Sequence, residues 1–212
     1  MNNLWNGLIY KTWSPIYDRL FNTGHFLNAR KEVFSRTDFH NNQKILFVGV
    51  GTGADLERIN HKELDITAID YSYDMLKKAR AKFIESPIQF LKMDAQDMSF
   101  SDSHFDVVIG SLVLSVVPDS DKCLKEMLRV LKPIGEIIIF DKFIPKDKGL
   151  SPYKKALRPL IKLLGTDIGV NFEELYGKNK DTLTVKEDIP IMFNDMYRMI
   201  IIRKLNSEDK SL

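Results

Sequence analysis

From residue 44 onward the chain alternates between short apolar runs and amphipathic stretches. Ile45-Leu46-Phe47-Val48 reads as a buried strand over 44–49. A helical pattern over about 54–60 separates it from a second strand at 65–70. Tyr73-Asp74-Met75-Leu76 opens a helix to about residue 83, with Ser72 as its N-cap. Short strands follow at 88–91 and 105–110. Pro118-Asp119 then starts a helix through Leu131 whose Leu124, Met127, Leu128 and Leu131 share one face. Gly135 precedes a fifth strand at 136–140. Strand and helix alternating about five times predict a parallel sheet covered by helices on both faces.

The flanks read differently. Leu4, Trp5, Leu8, Ile9, Ile16, Leu20 and Phe21 recur at spacings of three and four, with Pro15 kinking or dividing the segment. This leading helix suits a lid or substrate wall, a membrane contact, or plain packing on the core. A second helix is expected over 25–39. After the fifth strand, 151–164 form a basic amphipathic helix, suited either to an anionic membrane or to an outer layer of the fold. Two strands, 183–189 and 196–205, close on a hairpin signal at Asn194-Asp195.

Composition narrows the field. Lys and Arg number 31 against 29 Asp and Glu, so the net charge of +2 gives no field for nucleic acid. Cys123 stands alone, which excludes an internal disulfide, and the four scattered histidines lack metal-ligand spacing, so no metal is expected. No apolar run reaches the roughly 18 residues of a transmembrane helix. The N-terminus lacks the features of a signal peptide. The expectation is a single cytoplasmic domain over 1–212.

The chemistry gathers after the first strand. Gly49, Gly51 and Gly53 recur at every second position, and such a turn lets backbone approach a ligand. Asp70 ends the second strand, where an acid faces that turn and can accept both hydroxyls of a ribose. A nucleoside-containing cofactor follows. Gly49-x-Gly51-x-x-Ala54 also satisfies a dinucleotide fingerprint, which keeps an NAD-dependent oxidoreductase open. Two features favour S-adenosylmethionine. Met93-Asp94-Ala95 places a second acid where it can accept from an adenine amine, and the chain ends in a hairpin rather than a sixth parallel strand.

With these residues in view, the chain resembles the class I S-adenosylmethionine-dependent methyltransferases across roughly 44–143. The match rests on Val48-Gly49-Val50-Gly51-Thr52-Gly53, Asp70, Met93-Asp94-Ala95, Phe105-Asp106-Val107-Val108 and Leu131-Lys132-Pro133-Ile134-Gly135-Glu136. It is similar in finer detail to quinone-biosynthesis methyltransferases, and more so to small bacterial phospholipid N-methyltransferases. Tyr17-Asp18, Leu20-Phe21, Ser115-Val116-Val117-Pro118-Asp119 and Glu126-Met127-x-Arg129-Val130 carry that second likeness. Such proteins commonly have Gly-Gly at Ile134-Gly135 and His-Phe at Lys142-Phe143.

The resemblance implies a Rossmann-like, doubly wound, mostly parallel seven-stranded sheet with a C-terminal antiparallel hairpin strand and an N-terminal helical lid. It divides the domain into a lid or substrate wall (1–43), a cofactor core (44–143) and C-terminal helices with the hairpin (144–205). The glycine motif with Thr52 would hold the methionine part of S-adenosylmethionine, and Asp70 the ribose. Tyr71 and Met75 would wall the adenine, Met93, Asp94 and Ala95 would read its edge, and Ser111 with Leu112 would lie beneath the sulfonium. Tyr17 and Asp18 are the candidate catalytic groups above it. The implied reaction releases S-adenosyl-L-homocysteine after methylating a small or lipid-like acceptor: a phospholipid amine with peripheral membrane contact, or a quinone precursor. A cofactor-binding protein without catalysis uses the same pocket.

Overall fold

In the computed structural model, which describes residues 22–146, 149–193 and 195–206, alternation along each strand decides which face each side chain covers. Ile45 and Phe47 of β1 (Lys44–Val48) join one core cluster, and Leu46 and Val48 the other. Val107 and Ile109 against Val108 repeat this in β4 (Phe105–Ser111). Ile138 and Phe140 against Ile137 and Ile139 repeat it in β5 (Leu131–Lys142). Strands apolar on both faces need cover on both, and helices supply it.

On one face lie α1 (Gly24–Ser35), through Ala29, Val33 and Phe34, and α2 (Tyr73–Lys82), through Leu76 and Ala79. On the other lie α3 (Ser120–Val130), through Leu124, Met127 and Leu128, and α5 (Phe172–Asn179), through Phe172 and Leu175. Between β5 and α5 runs α4 (Pro152–Leu163). With β2 (Asp65–Asp70), β3 (Gln89–Lys92), β6 (Leu183–Met192) and β7 (Tyr197–Lys204), the strands form one seven-stranded sheet in the order β3-β2-β1-β4-β5-β7-β6. Strands β1 to β5 pair in parallel, and β7 runs antiparallel to both β5 and β6. The expected doubly wound sheet with its antiparallel hairpin is present. The leading segment with Tyr17 and Asp18, and the turn residue Asn194, lie outside the described residues.

The structure departs from expectation at one important place. No α-helix follows the glycine turn. Leu56–Arg58 and His61–Glu63 form two separate 3-10 turns, divided by Ile59 in extended conformation. The stretch is too short to nucleate a helix without strong caps, and the Asp55 side chain caps nothing because it pairs with Arg30. The helix over 25–39 also stops early, at Ser35. Helix α5 escaped the sequence reading, although Asn171 caps it and Phe172, Leu175 and Tyr176 recur at helical spacing.

Candidate functional site

The strand order turns outward from β1 on one side and β4 on the other, so the carboxyl ends of these two parallel strands flank the sheet's topological switch point. Ligands of open α/β sheets bind outside the strand ends at such a point. The glycine turn occupies this edge. Gly49, Gly51 and Gly53 have φ of +70°, +56° and +83°, a region costly for residues with a Cβ. A methyl added at Gly49 would stand 2.9 Å from Val113 Cγ2, and one at Gly53 2.8 Å from Phe83 Cε2.

Asp70 ties the second strand tip to this turn. Its Oδ2 accepts from the Gly51 N–H at 2.8 Å, and its Oδ1 from the Ser72 N–H at 2.8 Å. Burial raises its pKa above the ordinary carboxylate value, and the two N–H donors act against that rise. The turn's backbone is itself well engaged, since Val50 N–H donates to Ile69 O at 2.9 Å and Gly53 N–H to Val50 O at 3.0 Å. The glycines therefore contribute shape and clearance more than open donors.

The third tip meets the same edge. Asp70 stands opposite Lys92 in the β2–β3 ladder, and Met93 N–H donates to Asp70 O at 3.1 Å. Asp94 thus lies just beyond, on the same side of the molecule as Asp70. Its Oδ1 accepts from the Gln96 backbone N–H at 2.9 Å and from Gln96 Nε2 at 3.1 Å. Ala95 is buried in the core, and Met93 packs against that core half-buried. Tyr71 follows Asp70 with Lys92 Nζ 5.9 Å from its ring centre. Met75 is buried in the first turn of α2, where Ser72 Oγ accepts from its N–H at 3.4 Å.

The fourth tip is Ser111, buried at the end of β4, followed by Leu112 at φ +55°. Leu112 N–H donates to Phe140 O at 2.7 Å, fixing this tip to β5. Beyond it the buried Asp141 accepts from the Ser115 N–H at 3.1 Å and the Lys142 N–H at 2.7 Å. Burial raises the pKa of Asp141 and lowers that of Lys142, whose ammonium meets Thr166 Oγ1. Four strand tips thus bring the expected cofactor residues of 49–53, 70–75, 93–95 and 111–112 to one sheet edge. Tyr17 and Asp18 lie outside the described residues.

Three groups went unnoticed in the sequence. Arg30 of α1 makes a buried ion pair with Asp55, just after the glycine turn, and Asn22 Nδ2 donates to Thr52 Oγ1 at 3.2 Å. Gln96 joins Asp94 to α3, because its Oε1 accepts from the Asp119 N–H at 2.8 Å. No local pattern announces partners 25 or 23 positions apart.

Residues 46–139 match a family described as a methyltransferase domain. A phosphatidylethanolamine N-methyltransferase of Cereibacter sphaeroides is 38% identical over 74% of this chain and 77% of that protein. A demethylmenaquinone methyltransferase of Lactobacillus johnsonii is 28% identical over 91% of this chain and 84% of its own. Among solved structures, a Haemonchus contortus phosphoethanolamine N-methyltransferase holding phosphomonomethylethanolamine and S-adenosylhomocysteine superimposes with a TM-score of 0.71. It is 18% identical and covers 92% of this chain and 57% of that one.

Proposed function

The chain belongs to the class I S-adenosylmethionine-dependent methyltransferases, and from that premise we propose that it methylates the amine of a phospholipid headgroup. S-adenosylmethionine is its cofactor. The observation that carries the acceptor reading is the 38% identity with the phosphatidylethanolamine enzyme, which spans most of both chains. A lipid acceptor brings the protein to a membrane surface, and among the described residues no helix is long and apolar enough to cross one.

The residues at the sheet edge suit this cofactor. Asp70 and Asp94 present carboxylates at adjacent strand tips, fit to accept from ribose hydroxyls and from an adenine amine. S-adenosylmethionine supplies an electrophilic methyl carbon on a sulfonium. In this reading Gly49, Gly51, Thr52 and Gly53 border the methionine part, with Tyr71, Met75, Met93 and Ala95 around the adenine. Ser111 and Leu112 form the floor at the reacting end. The domain divides its work accordingly: 44–143 hold the cofactor, while 1–43 and 144–205 shape the acceptor side.

Chemistry then asks little beyond alignment and dryness. Holding the nucleophile in line can contribute about 7–11 kcal/mol to lowering the barrier. The acceptor amine must be neutral to attack, and its proton must leave. Tyr17 and Asp18 are the candidate groups for that proton. The deciding experiment incubates the protein and S-adenosylmethionine with phosphatidylethanolamine in mixed micelles and, separately, with demethylmenaquinone. Mono- and dimethylated phosphatidylethanolamine are expected. Methylation of the quinone precursor alone would transfer the assignment to the second reading, which the Lactobacillus relative favours.

A further inference from the structure

Helix α4 is turned inside out. None of the residues of Pro152–Leu163 is buried. Tyr153, Leu157, Leu160 and Leu164 recur at spacings of four, three and four, which places them in one narrow stripe. They are exposed to 64%, 47%, 58% and 53%. The opposite side carries Arg158 and Lys162, and these face the protein. Arg158 donates through Nε and Nη2 to the two oxygens of buried Asp167 at 2.8 and 2.9 Å, and Lys162 Nζ lies 3.0 Å from the same carboxylate. Gly169 leaves room for this clamp, since a methyl there would stand 2.2 Å from the Arg158 guanidinium.

An outer-layer helix normally buries its leucines and leaves its cations in water. Here a bidentate ion pair fixes the reverse orientation, so the leucine stripe is held outward by design of the sequence around it. Asp167 offsets one of the four cations of this acid-free helix, so two copies meeting at α4 would still bring like charge together. An anionic lipid interface offers what both parts need: a hydrocarbon boundary for the stripe and headgroup charge for Lys154 at its margin.

We propose that α4 is the surface on which the protein docks to an anionic bilayer, with Leu157 and Leu160 entering the acyl boundary and Lys154, which flanks the stripe, at headgroup level. The choice of occupant rests on the lipid-acceptor reading above. The docking surface is also joined to the candidate site. Asp167 N–H donates to Ser115 O at 2.6 Å, directly after the β4 tip, and the Lys142 ammonium meets Thr166. A bilayer beneath α4 would therefore lie beside the acceptor-side loop.

The test is sedimentation of the full chain with vesicles of phosphatidylcholine, with and without phosphatidylglycerol. The parent should bind the anionic vesicles, and Leu157→Glu with Leu160→Glu should weaken binding by about tenfold or more. Lys154→Glu should reduce the preference for phosphatidylglycerol. Unchanged S-adenosylhomocysteine affinity certifies the fold, because none of these side chains is buried. Equal vesicle binding by the leucine variant overturns the proposal, as does a dimer of the parent that the variant dissolves without any change at vesicles. Methyl transfer to a short-chain, monomeric phosphatidylethanolamine separates the two readings. Transfer without vesicle binding removes the docking surface alone, and vesicle binding through α4 without transfer removes the lipid-amine function alone.

Discussion

The Gly51 N–H and the Asp70 carboxylate lie 2.8 Å apart and join the tips of β1 and β2. The bond shapes the turn and holds the carboxylate in one orientation. Its partner bond from Ser72 fixes the second oxygen.

Asp70→Ala should therefore weaken S-adenosylhomocysteine binding by about 10- to 100-fold, the range for losing hydrogen bonds to a charged group. Isothermal titration calorimetry checks it. Affinity equal to that of the parent would remove the ribose role.

The buried pair of Arg30 and Asp55 fastens α1 to the end of the glycine turn. Arg30→Ala leaves a carboxylate buried without its cation, a change that costs about 3–5 kcal/mol. Replacing both residues by apolar ones, as in Arg30→Met with Asp55→Leu, should recover most of that loss. Urea denaturation of the two variants separates a burial penalty from a true dependence on charge.

Asp141 sets a pH signature. Burial raises its folded pKa above that of the unfolded chain, so the native state holds a proton that the unfolded state releases. Its contribution is fully present below the unfolded value and is lost as pH rises through the folded one. Asp167 behaves oppositely: burial acts to raise its pKa, but the bonds from Arg158, Gly169 and Lys162 outweigh it and hold it at about 2. Its contribution is present above the unfolded value and is lost as pH falls from there through about 2. Asp141→Asn should remove the first term alone. The melting temperature of the variant minus that of the parent should then grow as pH rises above about 4.

Ile134 stands where similar proteins commonly carry glycine. It has φ +57° and is 66% exposed, in the bulged entry to β5 where the register with β4 shifts between Phe105 and Val107. A β-branched residue in the left-handed region costs about 1–2 kcal/mol and gains little packing here. Ile134→Gly should relieve that strain, with part of the gain offset by the greater freedom of glycine in the unfolded chain. A net stabilisation of about 0.5–1 kcal/mol is expected in urea denaturation. A loss of stability would mean that the exposed isoleucine packs against something after all.

How far the sequence reached follows from the range of the interactions involved. Strand β2 and helix α2 were legible almost to the residue, because runs such as Ile66-Thr67-Ala68-Ile69 and the Ser72 cap are local signals. That the candidate residues share one sheet edge was legible because each follows a strand tip in the sequence pattern. The pattern over 54–60 misled because its only fully buried side chain is Leu56, and Asp55 is claimed by Arg30 from another element. Helix α4 was found, but its orientation was not. A helical wheel shows two faces, and only the clamp on Asp167 decides which one looks outward.

Helix α5 offers a last check on local signals, since it was missed although its cap was in plain view. Asn171 Oδ1 accepts from the Glu174 N–H at 3.1 Å, and Glu173 with Glu174 places negative charge in the first turn. Phe172 then packs edge-on against Phe143 with ring centres 5.5 Å apart, and the Arg198 guanidinium lies 5.3 Å from its ring centre. The cap thus sets the start of a helix that pins the end of β5. Asn171→Ala should cost about 1 kcal/mol by urea denaturation. Asn171→Asp, which keeps an acceptor and adds charge at the helix N-terminus, should cost nothing measurable. If both variants lose stability alike, the packing of Phe172 rather than the cap holds α5 in place.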